Sequence, residues 1–257
     1  MNRKHILLFC GLVCLLSVLP TAGHAQDSTG DADRIVRESF NYFRGKASES
    51  IVEMTIQRPE WKREMTLQGW TRGESDSLFF ITAPARDEGN GTLKKGREMW
   101  TYNPKVSRVI KLPPSMMSQS WMGSDFSNND LARSDSLLYD YVHTLEGKEM
   151  HEGKTVWVIK SLPKPDAPVL WGMQRLKIRE DQIMISQEFF DEDMKSVKIL
   201  TAWQMEMMGG RLFPRFTKMR KTETEDAYTL LEYRKLEFLD HLPDDLFTLS
   251  ALRRPRR

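Results

Sequence analysis

Chemistry, if this chain performs any, has to come from its histidines, serines and acidic clusters. Outside the N-terminal leader described below, the histidines are His143, His151 and His241. None lies in an HExxH pattern or an i, i+4 pair, the spacings that hold a catalytic zinc. Ser124 stands in Gly123-Ser124-Asp125 without a surrounding GxSxG and without a base beside it, so it reads as a turn serine. Asp191-Glu192-Asp193 lacks the glycine and terminal glutamate of a calcium loop and reads as a solvated hairpin turn. Gly91 to Gly96 lacks the Lys-Ser/Thr pair of a phosphate loop and reads as a turn and a strand. Asp125 and Asp130 could exchange protons, but they flank an expected short helix, where aspartate serves as a cap. The sequence therefore assigns no catalytic residue, no metal ligand and no cofactor. It points to a binding protein, not an enzyme.

What could bind is concentrated in one stretch, Met99 to Asp135. It runs as a strand to Tyr102, breaks at Asn103-Pro104, resumes at Val106 to Leu112 and stops at Pro113-Pro114. Residues 113–136 then place Met116, Met117, Trp121, Met122 and Phe126 among serines, glycine, asparagines and aspartates. Surface connections are polar because their backbone needs water. Five large apolar side chains in such a connection leave two readings: ordinary core that caps a barrel end, or the edge of an apolar cavity. Methionine suits the second, being unbranched and able to repack around irregular guests.

The same residues carry a resemblance. Trp100, Tyr102, Pro104 and Arg108, then KLPPSMMSQSWMGSDF (Lys111 to Phe126) and Asn129-Asp130-Leu131, resemble the outer-membrane lipoprotein-sorting (LolA-like) family. The likeness continues more loosely through GNGTLKKG (Gly89 to Gly96), PVLWG (Pro168 to Gly172), EFFDEDMKSVK (Glu188 to Lys198) and LPDDLFTLSAL (Leu242 to Leu252). The resemblance implies a periplasmic half-barrel that holds a lipid or acyl chains. By the same analogy the donor would be an inner-membrane transporter of the resistance-nodulation-division or ATP-driven (ABC) kind.

A leader fits that compartment. Arg3, Lys4 and His5 precede an apolar run from Ile6 to Leu19, and Gly23-His24-Ala25 supplies a small-x-small site, the pattern of a secretory signal peptide cleaved after Ala25. The run is short for a membrane span. Both cysteines, Cys10 and Cys14, lie in it, so the expected mature domain, residues 26–257, has no disulfide and relies on its core. The chain has 38 basic and 36 acidic residues, and the leader carries two of the basic ones, Arg3 and Lys4. The mature domain is thus electrically neutral, without the basic field that nucleic acid requires. The tail Arg253, Arg254, Arg256 and Arg257 reads as a solvated end or as a peripheral contact with anionic headgroups.

The elements expected around the stretch are mostly strands. Gln26 to Asp31 reads as a disordered start. Asp33 can cap a helix over 33–44 whose apolar face is Ile35, Val36, Phe40 and Phe43, ended by Gly45. The period then becomes two: Val52, Met54 and Ile56 alternate with polar residues, as do Met65 and Leu67. Short strands between turn residues continue to Leu239, with Gly209-Gly210 as a hairpin turn, for a total of about ten or eleven. A short helix over 128–136, capped by Asn128 or Asn129, completes the inventory. So long an antiparallel sheet must close or curl. The expected architecture is mainly β, a curled half-barrel with helices plugging its concave face; a closed lipocalin-type barrel is the alternative.

A function follows. Exposing a methylene to water costs about 0.8 kcal/mol, so moving a chain of about 16 carbons between membranes unaided costs roughly 12 kcal/mol. The expectation is a periplasmic carrier or acceptor of lipidated protein or lipid. The alternative is a sensor that binds lipid or lipoprotein and signals through a protein partner. The residues expected at the cavity and its lip are Met116, Met117, Trp121, Met122, Phe126, Trp100, Tyr102, Phe40 and Phe43. Trp100 and Tyr102 share one face of their strand, Met99 and Thr101 the other, and a one-residue change of register swaps which face meets the cavity.

Overall fold

The computed structural model describes residues 28–254; the leader, Arg256 and Arg257 lie outside them. Helix α1 (Ser28–Arg44) is followed by six strands, β1 (Ala47–Gln57), β2 (Lys62–Arg72), β3 (Asp76–Ala83), β4 (Gly91–Lys95), β5 (Glu98–Asn103) and β6 (Arg108–Lys111). Two short helices come next, α2 (Asn128–Ala132) and α3 (Ser136–Tyr139). Seven more strands complete the sheet: β7 (Tyr141–His151), β8 (Lys154–Pro163), β9 (Met173–Arg179), β10 (Met184–Phe190), β11 (Ser196–Met208), β12 (Arg211–Lys221) and β13 (Tyr228–Leu239). Helix α4 (Leu249–Arg253) ends the described chain.

All thirteen strands form one antiparallel sheet in the order β6-β5-β4-β3-β2-β1-β13-β12-β11-β10-β9-β8-β7. The order is two up-and-down meanders joined by the pairing of β1 with β13. The sheet is curled and open, not a closed barrel. Its two free edges, β6 and β7, are consecutive in the chain. Residues 112–140 therefore cross from one edge of the sheet to the other, and the crossing segment contains the methionine-rich stretch.

Several boundaries differ from the sequence expectation, each for a local reason. Among the described residues there are thirteen strands instead of about ten or eleven, and two of them, β4 and β6, have only five and four residues. Helix α1 already includes Ser28 to Asp31, so that segment is not disordered and Asp33 is an interior residue, not the cap. The helix expected over 128–136 is broken into α2 and α3. Ser127 is the cap of α2: its hydroxyl accepts from the Asp130 amide, while the Asp130 carboxylate accepts from the Ser127 amide, a reciprocal capping box.

The alternation in β1 settles which side is which. Val52, Met54 and Ile56 are buried with Met65, Leu67, Ile81, Met99, Leu112, Trp121 and Ala132 on the concave face. Helix α1 closes another part of that face, packing Ala32, Ile35 and Val36 against Leu137, Tyr141, Ile159, Leu176 and Ile178. The convex face has its own cover: Trp70, Leu78, Phe80 and Leu93 lie under Leu246, Phe247 and Leu252 of the C-terminal segment.

One histidine takes part in this framework. His143 on β7 is buried. Its Nε2 donates to the Leu137 carbonyl of α3 at 2.8 Å, and its Nδ1 is 2.7 Å from the Ser161 hydroxyl of β8. Burial pushes the imidazole below its ordinary value of 6.5. The folded state thus binds this proton less readily than the unfolded chain, and stability is greatest above about pH 6.5 and falls as the pH drops through it. Chemical denaturation should give a lower midpoint at about pH 5.5 than at about pH 7.5, with a smaller difference in His143→Gln. An identical pH response in the variant would contradict this assignment.

Candidate functional site

The crossing segment keeps its apolar residues near the concave face because its backbone is satisfied locally. Ser120 and Ser127 form a β-bridge, and the Trp121 amide donates to the Phe126 carbonyl at 2.7 Å. The Ser124 hydroxyl donates to the Trp121 carbonyl at 2.7 Å, the turn role its sequence context suggested. Met122 and Gly123 both have positive φ, 52° and 79°; the glycine adopts this conformation without steric cost. With its polar groups paired inside the turn, the WMGSDF loop can bury side chains as a surface loop could not.

Side chains then fasten the segment to the sheet at several points. Asp125 is held by Arg58, whose two terminal nitrogens reach its two carboxylate oxygens at 3.1 and 3.2 Å. Thr229 of β13 donates to Asp125 at 2.6 Å and accepts from its amide at 2.9 Å. The Trp121 indole nitrogen donates to Thr92 of β4 at 3.1 Å. Two residues along the same face of β4, Lys94 is almost fully buried and donates to Asp135 at 3.0 Å and to the Ser75 carbonyl at 2.7 Å. Burial pushes the Lys94 ammonium down, and Asp135 acts against that shift. In the other meander Lys198 of β11 pairs with Asp130, and Arg97, in the turn between β4 and β5, pairs with Asp140 at 3.0 Å. Asp125 and Asp130 are thus structural anchors. None of Arg58, Thr92, Lys94 or Lys198 was singled out from sequence; the visible trace is the T-x-K alternation of β4 opposite aspartates at 125, 130 and 135.

Two cavities lie between the sheet, α1 and this segment. The first, about 190 Å³, is lined by Phe43, Val52, Leu67, Phe79, Trp121 and Phe213 among others. Its aromatic wall has two groups: Phe43 stacks on Phe213 at 5.0 Å and Phe213 meets Tyr233 edge-on at 5.0 Å, while Phe79 meets Trp121 at 5.8 Å. Burial pushes the Tyr233 phenol up to about 12. Gly69 lines the cavity where a Cβ would lie 2.7 Å from the Phe79 ring, so glycine there makes room for the aromatic. Arg44 also reaches this cavity, but its guanidinium is committed to the carbonyls of Gly73 and Asp76 at 2.7 and 2.8 Å. Burial pushes Arg44 down to about 10, still protonated at neutral pH. The second cavity, about 230 Å³, extends under α1 and α2 toward β9 to β12, and Phe43 and Phe126 line both.

The sequence-predicted residues separate by place. Phe43 and Phe126 stand between the two cavities, Phe40 lines the second and Trp121 the first. Met116, Met117 and Met122 are half-buried against the concave-face core and line neither cavity. Trp100 and Tyr102 pack on the convex face beside Phe247 and Leu246, so they lie away from both cavities. The reason is register: Met99 and Thr101 pair with Lys94 and Thr92, and those two face the crossing segment.

Curl, crossing segment and apolar concave-face cavities define a LolA-like half-barrel. Solved structures agree. A DUF1329 family protein from Desulfovibrio piger ATCC 29098 superposes with a TM-score of 0.79 at 22% identity, covering 88% of this chain and 99% of that one. A domain named for outer membrane lipoprotein sorting, from Vibrio parahaemolyticus, gives 0.75 at 19%, covering 88% and 100%. A LolA superfamily protein from Nitrosomonas europaea gives 0.71 at 22%, covering 86% and 98%. At these identities the likeness is one of fold. Residues 73–254 match the model of a family described as "Uncharacterized protein"-like, and the chain belongs to that family. No curated protein matches the sequence.

The buried pair of Lys94 and Asp135 makes the fastening testable. Removing one partner of a buried pair leaves an uncompensated charge and costs about 3–5 kcal/mol, whereas replacing both by apolar groups of similar volume is close to neutral. Denaturation of Asp135→Asn, Lys94→Met and Asp135→Leu with Lys94→Met should show large losses in the single variants and recovery in the double. Singles indistinguishable from wild type would remove the anchor from the account.

Proposed function

We propose that this protein is a periplasmic carrier or acceptor that binds the acyl chains of lipids or lipoproteins in its two concave-face cavities. The observation that carries the reading is the aromatic and aliphatic lining the cavities share across Phe43 and Phe126. An apolar surface of this kind takes methylenes out of water at about 0.8 kcal/mol each. The fold it shares with a domain named for outer membrane lipoprotein sorting supports the same reading. Among the described residues no helix is long and apolar enough to cross a membrane, and no three His, Cys, Asp or Glu side chains cluster as metal ligands. A donor transporter of the resistance-nodulation-division or ABC kind, and peripheral contact of the arginine tail with headgroups, belong to the same proposal.

Within it, the methionines and the tryptophan have different parts. Trp121 is buried, 6% exposed, and bonded to Thr92, so Trp121→Ala should cost about 3–5 kcal/mol of stability. Met116, Met117 and Met122, half-buried, form the adaptable lip that an entering chain passes. Met117→Gln should leave the denaturant midpoint nearly unchanged and weaken a fluorescent fatty-acyl probe several-fold. Ala202→Phe, which fills the second cavity from β11, should weaken the probe more strongly. Unchanged probe affinity in both folded variants would overturn the cavity reading. Transfer of cargo between vesicles by catalytic amounts of protein marks a carrier; retention marks a sensor.

A further inference from the structure

The second cavity is not uniformly apolar. One end is built from α1, α2 and the link to α3, and there Ser39, Asp130, Arg133 and Ser134 contribute to its lining. Each of these four side chains presents a buried polar atom with no hydrogen-bond partner: Ser39 Oγ, Asp130 Oδ1, Arg133 Nη1 and Ser134 Oγ. Only one other residue among the described ones, Thr224, has such an atom. Four of the five thus line one cavity, an unusual concentration because a buried polar group without a partner is costly, and more so when charged. The rest of the lining is largely apolar and includes Phe43, Phe126, Phe189, Leu200 and Met219.

The charge at the polar end has a sign. Asp130 and Arg133 are the titratable residues in the lining. Asp130 already receives Lys198 and the Ser127 amide on Oδ2, and Lys198 also lies over Trp171 and Phe189 of the cavity wall. Lys198 and Asp130 therefore cancel, and the Arg133 guanidinium is the uncompensated charge. Ser39 and Ser134 can each donate a hydroxyl proton beside it.

We propose that the second cavity binds an amphiphile with an anionic head, a carboxylate or phosphate, seated on Arg133, Ser39 and Ser134, its chain running past Phe126 and Phe43 into the first cavity. The inference rests on the carrier reading and narrows it. A chain linked to protein through an ester or amide bears no charge at the linkage, so a site of this kind suits a free fatty acid or a lipid phosphate better than the acyl groups of a lipoprotein. The guanidinium forks onto two oxygens of either head, and the low dielectric around it makes the contact strong.

The test is calorimetric binding of hexadecanoate, hexadecyl phosphate and hexadecanol to the full mature chain and to Arg133→Met, Arg133→Lys and Ser39→Ala, with thermal midpoints taken on each protein. The expected result is a preference of about tenfold or more for either anion over the alcohol. Arg133→Met should lose it while still binding the alcohol, and Arg133→Lys should keep part of it. Whichever anion binds more tightly identifies the head. Equal affinity for acid and alcohol in the wild type, or an intact preference in Arg133→Met, would overturn the headgroup site and leave the apolar cavity standing. Failure of all three amphiphiles to bind a folded wild type would overturn the carrier reading itself.

Discussion

The crossing segment between β6 and β7 is fastened to the sheet walls by polar contacts, and the interior depends on that fastening. An open antiparallel sheet of thirteen strands has one concave face to cover and two edges to protect. One stretch of chain serves both needs by spanning from edge to edge. It is tied to β4 through Thr92 and Lys94, to β11 through Lys198, to β13 through Thr229 and to the turn after β1 through Arg58. Buried ion pairs add little net stability because desolvation offsets their attraction, but an unpaired member is severely penalised. Their consequence here is positional. A displaced segment would leave Lys94, Lys198 and Asp135 buried and alone, so the segment has one low-energy seat.

Because polar groups hold the segment, its apolar side chains need not fill the interior completely. A core closed by hydrophobic contact alone would collapse onto itself toward crystalline packing density. Two cavities remain on the concave face, meeting at Phe43 and Phe126. Aromatic edges and faces line the first, and the second has aromatic and aliphatic walls with a cluster of unpartnered polar atoms among them. Met116, Met117 and Met122 pack half-buried against the concave-face core.

Convex and concave faces are protected by different means. The convex side of β2 to β4 is covered by Leu246, Phe247 and Leu252, with the Arg72 guanidinium 4.6 Å from the Phe247 ring centre. This cover takes Trp70, Trp100 and Tyr102 out of consideration for the interior, while Trp121 and Trp171 line the cavities. Tryptophan content alone does not distinguish these uses, since a large aromatic stabilises either face equally. Trp61 and Trp203, exposed on the surface, belong to neither.

Much of the architecture is written in local pattern. The two-residue period of Val52, Met54 and Ile56, the amphipathic face of α1 with Phe40 and Phe43, the Gly209-Gly210 turn and the resemblance carried by Lys111 to Phe126 together specify a curled antiparallel sheet with a helix inside it. These signals are local, because backbone geometry fixes which neighbours share a face. What the sequence by itself could not determine is which face of β5 looks inward, that Lys94 meets Asp135 forty-one residues away, or that Ser39 joins Arg133 and Ser134 at one end of a cavity. Each depends on register and on contacts between distant segments, and a single-residue shift in register would reverse the first. Only the tertiary structure decides them, since a buried charge reveals its partner only once the chain has brought the two together.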